Sequence, residues 1–314
     1  MLRQTRPRAL HERVVALRSS SAWFAQSLRR DVLSMLSCSR LAAHARWGRI
    51  PMTTSRSQST AVFLACDRAI QAGVLIRRAS RQDKEFHFQN WFSARLDELG
   101  LRYDTPARNS YPDFRLVLPP PEGFEIKGLA YPGREANYDS NSQAPSGRHN
   151  GRTIYYLFGR YPKDPDTDEY PVIDLVMCHG DFLNAEHNYV HANKNIKGFG
   201  SYGDVMIRDR KMYVAPTPFA LTEGTTAQRT LILPKDTAID RSLTAVGELV
   251  RVEAARLVIG YAFDLRTNEL KPEYVDNPDA GKEHRFIAYR PEGFNTPTVT
   301  LKRTPIPLEV PDED

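Results

Sequence analysis

The sequence predicts an α/β fold, α+β in its order along the chain, on three observations. Two amphipathic helical segments stand early, a run of strand-like segments follows them, and the chain is long and apolar enough to bury a core. With 314 residues, 41% of them apolar, a wholly disordered chain is excluded. The three cysteines, Cys38, Cys66 and Cys178, are odd in number and form no CxxC pair. That argues against a secreted disulfide scaffold or a cysteine-rich zinc module and predicts a reducing compartment. No run approaches the roughly 18 apolar residues that span a bilayer, so a soluble protein without membrane association is expected.

The elements follow in order. Residues 1–51 hold ten arginines, no lysine and two acids (Glu12, Asp31). This composition suits a transit peptide, or a reading frame drawn too far upstream of a start at Met52. Residues 1–57 are therefore set apart as an Arg/Ser-rich arm, and 58–314 as one domain with a core at about 80–215 and a C-terminal elaboration over 216–314. Phe63, Cys66, Ile70 and Val74 recur at helical spacing, with Gly73 as a stop. A second helix has Ser80 or Asp83 as N-cap and Glu85 in its first turn. Phe88, Trp91, Phe92, Leu96 and Leu99 line one face, and Gly100 stands just past the end. Strands are predicted over 113–118, 123–129, 153–158 and 172–178, with a hairpin over 205–215 turning at Asp209-Arg210. A late helix is predicted over 243–259. The polar stretch 130–152 is long for a connection and suits a binding loop.

The chemistry is concentrated in Tyr111-Pro112-Asp113-Phe114-Arg115-Leu116-Val117-Leu118, a three-proline turn, and Gly123-Phe124-Glu125-Ile126-Lys127-Gly128. Period-2 geometry sets Glu125 and Lys127 on one face, and Phe124 and Ile126 on the other. If Val117 faces Gly123, Asp113 falls opposite Lys127 and diagonal to Glu125. Two carboxylates so crowded repel unless a cation joins them. A hard divalent ion with oxygen ligands, above all Mg²⁺, would resolve the repulsion, with the Ile126 carbonyl as a further ligand. The competing expectation is an exposed hairpin with an Asp113–Lys127 salt bridge.

The segment resembles the PD-(D/E)xK nuclease superfamily, whose signature is matched by Pro112-Asp113, eleven intervening residues and Glu125-Ile126-Lys127. The chain has four Pro-Asp pairs and three (D/E)xK triplets, and only this pairing has acceptable spacing. The resemblance, over about 85–178, implies a restriction-endonuclease-like core, a central mixed β-sheet flanked by helices. It also implies an acidic pair holding Mg²⁺, the lysine beside the attacking water, and an auxiliary catalytic glutamate at Glu85. The nearest group is the type II restriction endonucleases, which implies phosphodiester hydrolysis leaving 5′-phosphates. A structure-specific repair nuclease of the same fold and a non-catalytic DNA-binding module are the alternatives.

Candidate DNA-binding residues follow the motif. Asn137, Asn141, Ser142, Gln143, Ser146, Arg148, His149, Asn150 and Arg152 carry the groups that hydrogen-bond base edges. Lys194, Lys197 and Lys211 could contact phosphates. The arm carries a net +8, which leaves −3 on residues 52–314, so basicity of the whole chain is no argument for DNA binding by the body. Local asymmetry remains: 127–163 holds six bases against two acids, whereas 164–174 holds five acids and no base. The expected partners are double-stranded DNA, a second copy in a homodimer that cuts both strands, and a cognate DNA methyltransferase acting on the same site. The expected location is a bacterial cytoplasm, or an organelle if the arm is a transit peptide. A second cluster, Cys178, His179, Asp181, His187 and His191, could bind zinc. It lacks CxxC and HExxH, so a strand end followed by a polar turn is the reading.

Overall fold

The computed structural model describes residues 57–79, 86–105, 111–133, 136–140, 144–187, 202, 206–208, 211–239, 241–264, 266–267, 269–292 and 297–302. All of these lie beyond Thr53, where the chain divides in two. Residues 1–56 of the Arg-rich arm, Ser80, Asp83, Glu85, Asn141, Ser142, Gln143, His191, Lys194 and Lys197 lie outside the described residues.

Helix α1 (Ser59–Gln71) buries Val62, Phe63, Cys66 and Ala69 on one face. Its N-terminus rests on the buried Glu122, whose two carboxylate oxygens accept the Gln58 N–H at 3.2 and 3.1 Å. An acid at that end satisfies an orphan amide and complements the helix dipole. The helix stops before Gly73, which sits at φ 71°. Helix α2 (Phe86–Glu98) buries Phe88, Trp91, Phe92 and Leu96, as their spacing predicts, and ends at Gly100 with φ 64°.

The protein is α/β, built on a central mixed sheet of nine strands flanked by few helices. These are β1 (Tyr103–Asp104), β2 (Phe114–Leu116), β3 (Glu122–Tyr131), β4 (Arg148–His149), β5 (Arg152–Pro162), β6 (Asp174–His179), β7 (Arg229–Pro234), β8 (Leu243–Val252) and β9 (Glu283–Pro291). The order across the sheet is β8-β9-β7-β6-β5-β3-β2-β1, with β4 paired to β5. Strands β3/β5 and β6/β7 run parallel and the other pairs antiparallel. Two apolar clusters cover the two faces. Phe92, Phe114, Phe124, Ile126, Leu157, Met177 and Leu231 pack with α1 and α2. Leu129, Tyr138, Tyr156, Phe158, Val176, Phe182 and Phe286 fill the other side. Gly128 and Gly159 pair across β3 and β5 and make room for Phe88: a Cβ on Gly159 would meet its ring at 2.0 Å.

Two expectations are corrected. The predicted helix over 243–259 is strand β8, followed after a bend by the strand Arg256–Asp264. Strand β8 pairs with β9 from Leu243↔Pro291 to Val252↔Glu283, and Val246, Val250 and Val252 suit a pleated surface better than a helix. The C-terminal region thus supplies three strands of the main sheet. The second correction is the register of the motif hairpin, which is displaced by two residues: Phe114 faces Phe124 and Arg115 faces Gly123. Pro119, Pro120 and Pro121 have no N–H to offer a ladder, and the Val117 N–H bonds Arg102 O at 2.8 Å instead. The predicted 205–215 hairpin forms from Met206–Arg208 and Lys211–Pro216. Among the described residues no helix is long and apolar enough to cross a membrane.

Candidate active site

A displacement of two residues keeps every side chain on its predicted face. Leu129 belongs to the cluster away from the helices, so Lys127 and Glu125, two and four positions before it, share that face. Continuing the observed register brings Asp113, the residue before β2, opposite Glu125 and diagonal to Lys127. The sequence reading had the two partners exchanged.

The three groups converge. The Asp113 N–H donates to Glu125 Oε2 at 3.2 Å, and the Ile126 N–H donates to Asp113 Oδ2 at 2.8 Å. Lys127 Nζ donates to Glu125 Oε1 at 2.7 Å, with side chains 23% and 12% exposed, respectively. All three residues are half-buried, and α2 packs Phe92 against Phe114 and Phe124 beneath them. The hairpin of the competing expectation forms, with its turn at Val117–Pro119 exposed and the three site side chains half-buried. Lys127 Nζ also lies 5.9 Å from the centre of the Tyr138 ring.

Two tyrosines that the sequence reading passed over close the site. Tyr111 and Tyr156 share a hydroxyl–hydroxyl hydrogen bond of 2.8 Å, and Tyr156 stands beside Glu125 on the neighbouring strand. Burial pushes both phenol pKa values well above 10. For Tyr111 the charges of Glu125, Asp113 and Asp181 add to this. Both hydroxyls therefore stay protonated as neutral donors. The signal that could have found them is position: Tyr111 precedes the Pro-Asp pair, and Tyr156 lies on an apolar strand where a hydroxyl needs a partner.

Gly147 N–H donates to Asp181 Oδ1 at 3.0 Å, and Asp181 N–H donates to His179 Nδ1 at 3.2 Å. Burial lowers the His179 pKa; Asp181 opposes the shift and Arg148 adds to it. The ring is thus neutral, accepts at Nδ1 and carries its proton on Nε2. His179 ends β6 and a 3₁₀ turn, Gly180–Phe182, follows, which is the strand end and turn expected. His187 departs from that group and meets Glu253.

The predicted DNA-contacting residues separate by environment. Arg148 and Asn150 are exposed in the β4–β5 hairpin, with Asn150 Nδ2 and His149 Nε2 2.9 Å apart. His149 sets its ring edge-on to Tyr111 at 4.9 Å, which ties this hairpin to the motif. Ser146 Oγ bonds Arg148 O at 2.7 Å and shapes the same turn. Asn137 is exposed on a separate strand, Asn137–Ser140, opposite Pro216. Arg152 is engaged inside the fold, where Nη1 donates to Leu116 O at 2.7 Å and holds the proline turn. Lys211 opens the strand Lys211–Pro216.

No protein-family model, curated protein or solved structure matches this chain.

The residues present fit a hard cation. Asp113 and Glu125 offer carboxylate oxygens, the donors that Mg²⁺ prefers. In an extended strand, a residue's N–H and C=O point to the same edge. The Ile126 N–H reaches Asp113, so the Ile126 carbonyl faces that edge as well.

Proposed function

We propose that the protein is a Mg²⁺-dependent, sequence-specific double-stranded DNA endonuclease of the type II restriction class, with the PD-(D/E)xK site at Asp113, Glu125 and Lys127. The observation that carries this reading is the reciprocal bonding of the motif. Each carboxylate accepts an amide from the other's strand, and the ammonium binds the second one. Such a convergence of like charges costs stability, and proteins place such costs where chemistry needs them.

In this reading Asp113, Glu125 and the Ile126 carbonyl hold the ion. When bound, such an ion would supply Lewis-acid polarisation of the scissile phosphate and activation of the attacking water. Glu125 holds Lys127 by its ammonium. Lys127 orients the attacking water and offsets negative charge growing on the phosphoryl oxygens. The Tyr111 and Tyr156 hydroxyls, kept neutral by burial, stiffen the floor beside Glu125 without adding charge. Arg148 and Asn150 offer donors suited to guanine and adenine edges. A homodimer places two such sites on a duplex. A bacterial cytoplasm and a partner methyltransferase that protects host sites belong to the same proposal.

The test is incubation of plasmid and phage DNA with the protein and Mg²⁺. Discrete fragments with 5′-phosphate ends support restriction. Cutting confined to branched DNA would move the reading to a structure-specific nuclease, and binding without cutting to a DNA-binding module.

A further inference from the structure

We infer that Asp181 is a positioning residue for base recognition: through the Gly147 amide it holds the β4–β5 hairpin, and with it Arg148, in one pose for a groove of duplex DNA. The inference rests on the DNA-binding part of the proposed function and not on cleavage. The hairpin itself is minimal. Arg148 pairs with Thr153 and His149 with Arg152, which leaves Asn150-Gly151 as a two-residue turn. Both turn residues take positive φ, 48° and 76°, as the tightest hairpin connection demands and as Asn-Gly supplies most readily. A ribbon this narrow suits the major groove, where an arginine reads guanine through two hydrogen bonds. Arg148 and Asn150 are both exposed on it. Two residue pairs alone do not hold a hairpin still in water, so its pose has to be fixed at its base.

That base is held from the end of β6. Gly147 N–H, the amide immediately before Arg148, donates to Asp181 Oδ1 at 3.0 Å. Asn184 Nδ2 donates to Pro145 O at 2.9 Å, and Ile154 N–H donates to Gly147 O at 3.0 Å. The Tyr202 hydroxyl donates to Asp181 O and steadies the residue from behind. The two segments meet without slack: a Cβ on Gly147 would meet Asp181 Oδ1 and His179 Cε1 at 2.3 Å, and a Cβ on Gly180 would meet Ser146 O at 2.1 Å. Of these bonds, the one to Asp181 has a carboxylate acceptor, the stronger kind. On the other side of the hairpin, the His149 ring stands edge-on to Tyr111 at 4.9 Å. A guanidinium whose backbone is held before binding loses less freedom on binding and cannot re-aim at a neighbouring base, so the anchor sharpens discrimination as well as affinity.

The experiment uses the full chain carrying Lys127→Ala in Mg²⁺, so that bound DNA stays intact, and a pool of duplexes with a randomised core. Retained duplexes are sequenced, and affinity for the unselected pool is read by fluorescence anisotropy. The chain is expected to enrich a motif in which one guanine is preferred about 10- to 100-fold over the other bases, and Arg148→Gln is expected to remove that preference. Asp181→Ala is expected to remove it at the same position while affinity for the unselected pool is unchanged. The Asp181 side chain is 33% exposed, so water takes the Gly147 N–H and the fold survives, which circular dichroism checks. Gly180→Ala, which pushes Ser146 off its seat with Asp181 intact, is expected to give the same loss. Asp181→Asn keeps an acceptor for Gly147 and turns its amide toward His179 Nδ1, 3.6 Å from the present Oδ2, and is expected to restore the preference. A purely structural role would lower the retention of every duplex together. That result, a pool retained without any motif, or full guanine preference in Asp181→Ala, would overturn the inference. Enrichment of the motif by a protein whose wild type cuts no DNA in Mg²⁺ would instead fail the nuclease reading and leave this inference standing.

Discussion

Replacing Asp113 separates the two things this residue does. As an acceptor it satisfies the Ile126 N–H at 2.8 Å, and as an anion it faces Glu125 across the hairpin. A hydrogen bond to a charged group contributes about 1.5–3 kcal/mol, and one between neutral groups about 0.5–1.5 kcal/mol. Asp113→Asn keeps the acceptor and gives up about 1 kcal/mol of charge assistance. Like charges directly opposite in a sheet cost about 0.2–1 kcal/mol, and this variant recovers that amount. The two changes nearly cancel. In EDTA, Asp113→Asn is expected to unfold within about 1 kcal/mol of the wild type, which is about 2–4 °C in Tm for a domain of this size. Asp113→Ala loses the acceptor altogether and leaves the Ile126 N–H without it, at a cost of about 1–3 kcal/mol. Mg²⁺ is expected to raise the Tm of the wild type and of neither variant, because the cation relieves the same repulsion. Calorimetry of the three proteins in EDTA and in Mg²⁺ checks this. An asparagine variant as unstable as the alanine one, or one that Mg²⁺ still stabilises, would refute the reasoning.

Other outcomes follow from the same structure. Burial pushes the Cys66 thiol up to about 12 and raises Cys178 as well, so neither should react with iodoacetamide at pH 8 until the protein is denatured; peptide mapping of native alkylation decides it. Burial raises the Glu122 carboxyl above its ordinary 4.5, only partly offset by bonds from Ser57, Gln58 and Ser59. A raised folded value means its contribution is full below pH 4.5 and falls as pH rises through the folded value. Glu122→Gln should flatten the Tm curve over that window, and parallel curves for the two proteins would count against it. Gly159→Ala should cost about 1–3 kcal/mol in urea unfolding, because its Cβ meets the buried Phe88 ring at 2.0 Å. An unchanged midpoint would mean that α2 is not seated on the Gly128–Gly159 slot.

Much of this fold was legible because its signals are local. Apolar residues at helical spacing followed by glycine gave α1 and α2, and alternation gave β3, β5 and β6. The class, a mixed sheet with flanking helices, follows from that order. The register of the motif hairpin was not legible, since the partner that takes the Val117 N–H is Arg102 O, fifteen residues upstream. The two-residue error was harmless to the site because only an odd displacement exchanges faces. The helix expected over 243–259 failed because short apolar runs fit both periods, and pairing with β9 settles the choice from outside the segment. Tyr156 and the Glu253 neighbourhood were invisible for a related reason: their partners are 45 and 66 residues away. No local pattern encodes such meetings.

The central claim is that Asp113, Glu125 and Lys127 form one hydrolytic site, and the most direct measurement is a matched set of DNA digests. Wild-type protein and Lys127→Ala are each incubated with phage DNA in Mg²⁺ and in EDTA, and the cut ends are sequenced. The account predicts a single recurring sequence at the ends produced by the wild type in Mg²⁺, no cutting in EDTA, and cleavage by Lys127→Ala reduced at least a hundredfold, the order contributed by one positioned catalytic group. Equal cleavage by Lys127→Ala, or cutting that persists in EDTA, would contradict it.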